Sequence, residues 1–293
     1  MKILHLDSGR EMRGGQWQAL RLHRGLIARG HESFLLARDE SPLLAAALRA
    51  QLPCGALSLL SVRASSRGCH AVHAHDARSH TLAALAARAP LVVSRRVAFP
   101  SGSSALSRWK YGRARLFLAV SRHVAEELMR AGVEEGRIVV VHDGVRVPPA
   151  PAHGDAILTP YSEDPLKGMA LAEEAAEQAG VVLRRSENLE QDLPRARALV
   201  YLTQSEGLGS GILLGMAHGV TVIASRVGGI PEVIEDGVNG ILIENDAAAV
   251  AAALARIEPA LGHAARETVT ARFTEEQMIE STIAAYGQVL THD

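Results

Sequence analysis

The sequence predicts an α/β protein built of two Rossmann-like, doubly wound domains. Three observations predict it. Short apolar, partly β-branched runs alternate with longer segments of helical periodicity, the order that builds parallel sheets covered by helices on both faces. Two glycine-rich turns, at 9–15 and 205–211, each follow such a run and precede a helix, where open parallel sheets hold ligands. A Pro-rich stretch at 145–154 breaks the alternation near the middle, and 293 residues suffice for two cores.

Residues 2–8 read as the first strand; the N-terminus is too short and too soon charged for a signal peptide. The turn 9–15 holds Arg10, Glu11, Arg13 and the pair Gly14-Gly15. A helix over 16–29 carries apolar Leu20, Leu22, Leu26 and Ile27 and is closed by Gly30. A strand at 32–38 completes a βαβ unit whose turn lacks GxGxxG, which counts against a dehydrogenase. Strands at 71–76, 91–96, 116–120 and 137–142 then alternate with helices at 77–88, 103–113 and 121–131, the last suited to capping by Ser121.

The Pro-rich stretch is the expected linker. Beyond it, strands are predicted at 156–160, 181–185, 198–203, 220–225 and 240–243, with helices at 168–179, 210–217, 230–235 and 247–257. A last helix at 275–290 follows Thr274 as cap, with apolar spacing at Met278, Ile279, Ile283 and Val289. The expected division is 1–150 for an N-terminal domain and 151–274 for a second, with residues 275–293 as a closing helix.

Net charge is −1, so no global nucleic-acid or membrane footprint appears. Cys54 and Cys69 make neither a disulfide framework nor a metal pattern, and a reducing cytosol is expected. No uncharged apolar run reaches the roughly eighteen residues that span a bilayer, so a membrane-borne substrate would be met at the surface.

The turn Ser205-Glu206-Gly207-Leu208-Gly209-Ser210-Gly211 sets one carboxylate among backbone N–H groups at a helix N-terminus, an arrangement that suits anions. Lys167, ahead of Gly168, opens another helix and supplies a mobile cation. His73 and His75 fall on one face of a strand at period two, followed by Asp76 and His80. His-x-His can bind metal, but no third ligand set accompanies it, and no metal is assigned. Arg95 and Arg96 end another strand, where paired guanidiniums could hold phosphate or an anionic acceptor.

The longer run is more specific. Ser-Glu-Gly-Leu-Gly at 205–209, Met-Ala-His-Gly at 216–219, the stretch from Val222 to Ile234 around Gly228-Gly229-Ile230-Pro231-Glu232, and Asp-Gly-Val-Asn-Gly-Ile-Leu-Ile at 236–243 together resemble the donor-binding half of retaining family-4 glycosyltransferases of the GT-B fold (glycosyl transferases group 1). The first βαβ unit, with Gly14-Gly15 and Arg-Gly-His-Glu at 29–32, is similar to that family's first unit.

The resemblance implies a metal-independent transfer of a hexosyl or related sugar from a nucleoside-diphosphate sugar to a hydroxyl acceptor, with retention. The nucleotide sugar is a co-substrate, and no cofactor is expected. It implies donor contacts from Gly14, Gly15, Lys167, Gly207, Leu208, Gly209, Ser210 and Gly211, and Glu206 on the sugar. His75 stands with Glu206 as a catalytic candidate, and Arg95, Arg96 and Asp76 on the acceptor or phosphate side. The resemblance also implies that the two Rossmann-like domains face each other across a cleft, with the terminal helix crossing back to the N-domain. The expected setting is the cytoplasm, at the inner face of a membrane where the acceptor is an envelope glycan or glycolipid, with peripheral membrane contact and no nucleic-acid partner.

The chain departs from the family in several places. The usual second glutamate, which grips the ribose, is Leu214, and an expected arginine is Ser162. Arginines replace a histidine near 94–96, and the segment 187–192 is compressed. A catalytically weak or inactive nucleotide-sugar- or glycan-binding paralogue is therefore the alternative.

Overall fold

The computed structural model describes residues 1–97 and 105–290. Two parallel-sheet α/β units result, one of Met1–His142 with the C-terminal residues from Glu275, the other of Asp143–Thr274.

The first unit runs β1 (Lys2–Asp7), α1 (Gly14–Ala28), β2 (Glu32–Ala37), α2 (Pro42–Arg49), β3 (Cys54–Ala56), α3 (Leu59–Ser65), β4 (Ala71–Ala74), α4 (Ala77–Ala86), β5 (Leu91–Arg95), α5 (Ala105–Arg113), β6 (Leu116–Ala119), α6 (Arg122–Arg130) and β7 (Ile138–Val140). Its strands lie in the order β3-β2-β1-β4-β5-β6-β7, all neighbours parallel. The order reverses between β1 and β4, which places the topological switch point there.

The second unit runs β8 (Ala156–Pro160), α7 (Met169–Ala179), β9 (Leu183–Ser186), α8 (Leu189–Asp192), β10 (Ala196–Tyr201), α9 (Ser210–Ala217), β11 (Thr221–Ser225), β12 (Ile241–Ile243), α10 (Ala247–Leu254) and α11 (Pro259–Arg272). Its order is β12-β11-β10-β8-β9, again parallel, with the switch between β8 and β10. The final helix, α12 (Glu275–Leu290), belongs to the first unit.

Each sheet is buried because helices cover it, so its strands are continuous apolar runs rather than alternating ones. In the first unit Ile3, Leu22, Leu26, Val92, Leu116, Met278, Ile279, Tyr286 and Val289 form one core. The apolar spacing of α12 is thereby spent on the first unit. In the second, Ile157, Ala172, Ala175, Val200, Ile223, Ile241 and Val250 form another, where small alanines bring α7 and α10 close to the strands. No helix among the described residues is long and apolar enough to cross a membrane.

Three differences from the sequence reading have local causes. The Pro-rich stretch is tied to the second unit by Ala152 N–H donating to the His218 carbonyl and His153 N–H to that of Pro194, so the division falls at Asp143. The helix expected at 230–235 is only a 3-10 turn, Ile230–Glu232, because the Asn239 side chain captures the Glu235 N–H at 2.8 Å and turns the chain. Helices α2, α3 and α11 were not anticipated, although Ser41 and Ser58 cap α2 and α3 and Pro42 and Pro259 sit in the first turns of α2 and α11. The predicted helix at 103–113 is α5, described from Ala105; its first two positions lie outside the described residues.

Candidate functional site

In the second unit the switch between β8 and β10 gathers the charged candidates. Lys167 ends the 3-10 turn that follows β8, and Glu206 lies in the loop that follows β10. The two loops are bonded to each other, Gln204 N–H donating to the Leu166 carbonyl at 2.9 Å. Lys167 Nζ then meets Glu206 Oε2 at 3.1 Å. The same oxygen accepts from the Tyr201 hydroxyl at 2.9 Å, and Oε1 accepts from the Gly207 N–H at 3.1 Å. Burial, and then the Glu206 charge, hold the Tyr201 phenol well above its ordinary value.

The surrounding glycines are required by this arrangement. A Cβ on Gly228, at φ +56°, would collide with the Glu206 carbonyl oxygen, and Gly229 N–H donates to that oxygen at 3.2 Å. A Cβ on Gly211 would lie 2.8 Å from Tyr201 Cε2. Gly209 precedes α9, whose first-turn N–H groups include those of Ser210 and Gly211. Leu208 is buried, so it can offer a ligand only its backbone. Leu214 is half-buried on α9, and its carbonyl accepts from His218 Nδ1 at 2.8 Å.

In the first unit the corresponding edge lies at the ends of β1 and β4. Register sets His5 beside His73, and His75 continues the same face. The three rings are buried, with His5 Nδ1 and His75 Nε2 3.0 Å apart. Arg96 Nη1 donates to His75 Nδ1 at 3.3 Å. That donation leaves the His75 proton on Nε2, directed at His5 Nδ1, and so puts the His5 proton on Nε2. His5 Nε2 has no hydrogen-bond partner among the described residues. His73 is bonded at both nitrogens, to the Tyr286 hydroxyl at 2.6 Å and to Ser94 Oγ at 2.8 Å.

Burial, followed by neighbouring positive charge, holds all three histidines well below their usual value, so they are neutral. One nitrogen from each ring lies within 4.8 Å of those of the other two, a group that could hold a metal ion. Of the six nitrogens of the three rings, however, five are already engaged in the hydrogen bonds just described.

Asp76 is the N-cap of α4. Its oxygens take donations from Ser8 N–H and Oγ, both at 2.6 Å, and from Arg78 and Ser79 N–H at 2.8 and 2.9 Å. It is thus committed to holding two loops together. Gly14 begins α1, and Gly15 follows it with Arg96 Cδ 3.7 Å from where its Cβ would stand. Arg95 ends β5, half-buried.

The structure therefore brings Lys167, Glu206 and the glycine turn together in one unit, and Gly14, Gly15, His75, Asp76 and Arg96 along one edge of the other. His75, expected as a catalytic candidate, is a buried ring behind Arg96.

Sequence reasoning missed Tyr201, Asp7, His5 and Tyr286. Asp7 ends β1, buried, accepting from Gly9 N–H at 2.8 Å and from Gln16 Nε2. Burial and the Asp76 charge push its carboxyl up to about 6. The available signal was polar residues, His5 and Asp7, inside an otherwise apolar central strand.

Comparison with known proteins agrees with both units. A family model described as Glycosyltransferase Family 4 matches residues 12–147, and one described as Glycosyl transferases group 1 matches 152–258. The N-acetyl-alpha-D-glucosaminyl L-malate synthase of Bacillus anthracis is 33% identical over 118 residues, covering 38% of this chain and 31% of that protein. The alpha-maltose-1-phosphate synthase of Mycobacterium tuberculosis (strain CDC 1551 / Oshkosh) is 32% identical over 148 residues, covering 45% and 38%. The match thus spans about a third of these relatives' length. Anabaena HepE, solved in complex with UDP and glucose, superposes with a TM-score of 0.87 at 14% identity, over 98% of this chain and 99% of that one. That likeness is one of fold, the GT-B class.

Proposed function

Because the chain belongs to the group 1, family 4 glycosyltransferases, we propose that it transfers a sugar from a nucleoside-diphosphate sugar to a hydroxyl acceptor, with retention at the anomeric carbon. The observation that carries this reading is the Lys167–Glu206 pair beside the α9 N-terminus, at the switch point of the second sheet. A departing diphosphate needs cations and N–H donors already in place, because donors that need not reorganise lower the barrier by several kcal/mol. Lys167 and the N–H groups of Gly209, Ser210 and Gly211 supply such donors. Glu206 supplies a carboxylate for sugar hydroxyls and for positive charge at the anomeric carbon.

In this reading the leaving group is stabilised without a metal. The polar edge of the first unit, with Gly14, Gly15, Arg95 and Arg96, serves phosphate or the acceptor. His75 and Asp76 act there by holding Arg96 and the Ser8 loop. The acceptor is an envelope glycan or glycolipid, met in the cytoplasm at a membrane's inner face. Relatives named N-acetyl-alpha-D-glucosaminyl L-malate synthase and alpha-maltose-1-phosphate synthase support including small anionic acceptors in the panel tested.

Leu214 favours a second reading, binding of a nucleotide sugar without turnover, since a leucine cannot accept a ribose hydroxyl. One experiment separates the two. The full chain is incubated with a panel of nucleoside-diphosphate sugars and acceptors, and released nucleoside diphosphate is measured alongside Glu206→Ala. Release that falls by orders of magnitude in the variant, with an unchanged circular dichroism spectrum, supports transfer. Tight binding with no release supports the second reading. Release unaffected by Glu206→Ala refutes the role given to Glu206.

A further inference from the structure

The Glu206 carboxylate is held from three directions, and the three holders differ in how they can respond to a ligand. Gly207 N–H on Oε1 is fixed by the loop, whose carbonyl is anchored by Gly229. Tyr201 reaches Oε2 from the last residue of β10, a strand packed between β8 and β11. Lys167 reaches the same oxygen on a long side chain that remains 38% exposed, whereas that of Glu206 is 17% exposed.

An ammonium so placed is the mobile member of the group. An incoming diphosphate offers it more negative charge than one carboxylate does. If Lys167 moved to phosphate and nothing else held Oε2, a mostly buried carboxylate would lose its strongest donor, at a cost comparable to an unsatisfied buried charge. Tyr201 prevents that, since its hydroxyl donates to Oε2 whether or not Lys167 is there. The fit is built into the chain: the ring occupies the space that a side chain at Gly211 would need, with Cε2 only 2.8 Å from such a Cβ.

We propose that Tyr201 is a positioning residue, which keeps the Glu206 carboxylate aimed at the donor sugar while Lys167 exchanges its bond to Glu206 for one to the donor diphosphate. The Lys167–Glu206 pair is then the resting state of the site, and Tyr201 is what makes its opening tolerable. This rests on the donor-site reading given above and adds to it a residue and an order of events. No covalent step is involved; one ion pair is traded for another.

The test measures affinity of the full chain for UDP and for UDP-glucose, used as probes, in the parent, Tyr201→Phe, Glu206→Gln and the double variant. Tyr201→Phe should bind UDP within about twofold of the parent, since Lys167 and the backbone donors are intact. It should lose about tenfold on UDP-glucose, and it should add nothing to the loss caused by Glu206→Gln. Equal losses on both probes, or full additivity in the double variant, would assign Tyr201 a merely structural role and overturn the proposal.

If the parent binds neither probe, the same comparison is run with the nucleoside diphosphate and nucleotide sugar that the panel above identifies, and the sugar-facing part of the proposal falls together with the donor reading when none binds. The Tyr201–Glu206 link is then decided without ligand by ring-labelled tyrosine NMR. With the link present, Glu206→Gln lets the Tyr201 phenol titrate at lower pH than in the parent, because burial alone then opposes its ionisation. An unmoved titration would overturn the link as well.

Discussion

Acidification should destabilise the first unit through its buried histidines, and the size of the effect follows from the structure. His5, His73 and His75 are kept neutral by burial, with neighbouring positive charge second. His23 and His80 are lowered to about 4, again mainly by burial. In the unfolded chain each titrates near 6.5. The folded values are depressed, so the unfolded state binds more protons below pH 6.5, and stability is lost as pH falls through that value.

For a group that stays neutral when folded, the loss between neutral pH and pH 5.5 is set by the unfolded value alone. It comes to about 1.4 kcal/mol per histidine, or about 4 kcal/mol for the three most buried. Asp7 acts in the opposite sense. Its folded value near 6 lies above the ordinary 3.8, so its ionisation burdens the folded state at high pH. Acidifying to pH 5.5 returns less than about 1 kcal/mol from it. The net loss, about 3 kcal/mol or more, is a large part of a typical domain stability of roughly 5–15 kcal/mol. The assay is urea unfolding at half-unit steps from pH 7.5 to 5.0. The slope of unfolding free energy against pH near 5.5 should correspond to about two to four protons taken up on unfolding. A slope of less than one proton would refute the reasoning, because it would mean that the rings are charged or solvated in the folded state.

Asp7→Asn should stabilise the protein at pH 7.5 by about 1–3 kcal/mol, the upper figure being the full shift converted. The gain should shrink as pH falls below 6 and vanish near pH 3, where Asp7 is protonated in both states; equal gains at pH 7.5 and at the acid end in thermal melts would contradict this. Tyr286→Phe should cost about 1–3 kcal/mol in urea unfolding, since it removes the 2.6 Å partner of a fully buried His73 nitrogen and loosens α12. Gly211→Ala should disturb donor use more than fold, because the added Cβ displaces the Tyr201 ring and with it the hold on Glu206. UDP-glucose affinity, compared with the melting temperature, checks this. Adding salt should change stability little when Lys167→Met is compared with the parent, since a partly exposed ion pair contributes about 0–1 kcal/mol.

Much of the fold was legible because its signals are local. Apolar runs bounded by Gly, Asp or Ser marked the strands, and the predicted helix at 210–217 and the terminal helix coincide with α9 and α12. The glycine turn with Glu206 and the Lys167-Gly168 pair were also visible, because tight turns and helix starts require particular residues at particular positions. Helix α2 was less legible because its eight residues are mostly Leu and Ala and set no polar face to mark a helical period, leaving the Ser41-Pro42 start as its local signal.

What the sequence by itself determined about this protein is therefore its local chemistry: alternating strands and helices, two glycine turns, one carboxylate and one lysine set beside them. Only the tertiary structure decided which side chains meet. Lys167 reaches Glu206 across 39 residues, His5 reaches His75 across 70, and Tyr286 reaches His73 across 213. The physical reason is that strand order and register, fixed by how whole faces bury their apolar area, carry polar side chains into contact that no local pattern specifies. His75 shows this most directly. Its place in the sequence made it a catalytic candidate, and the pairing of β1 with β4 packs it as an interior support for Arg96.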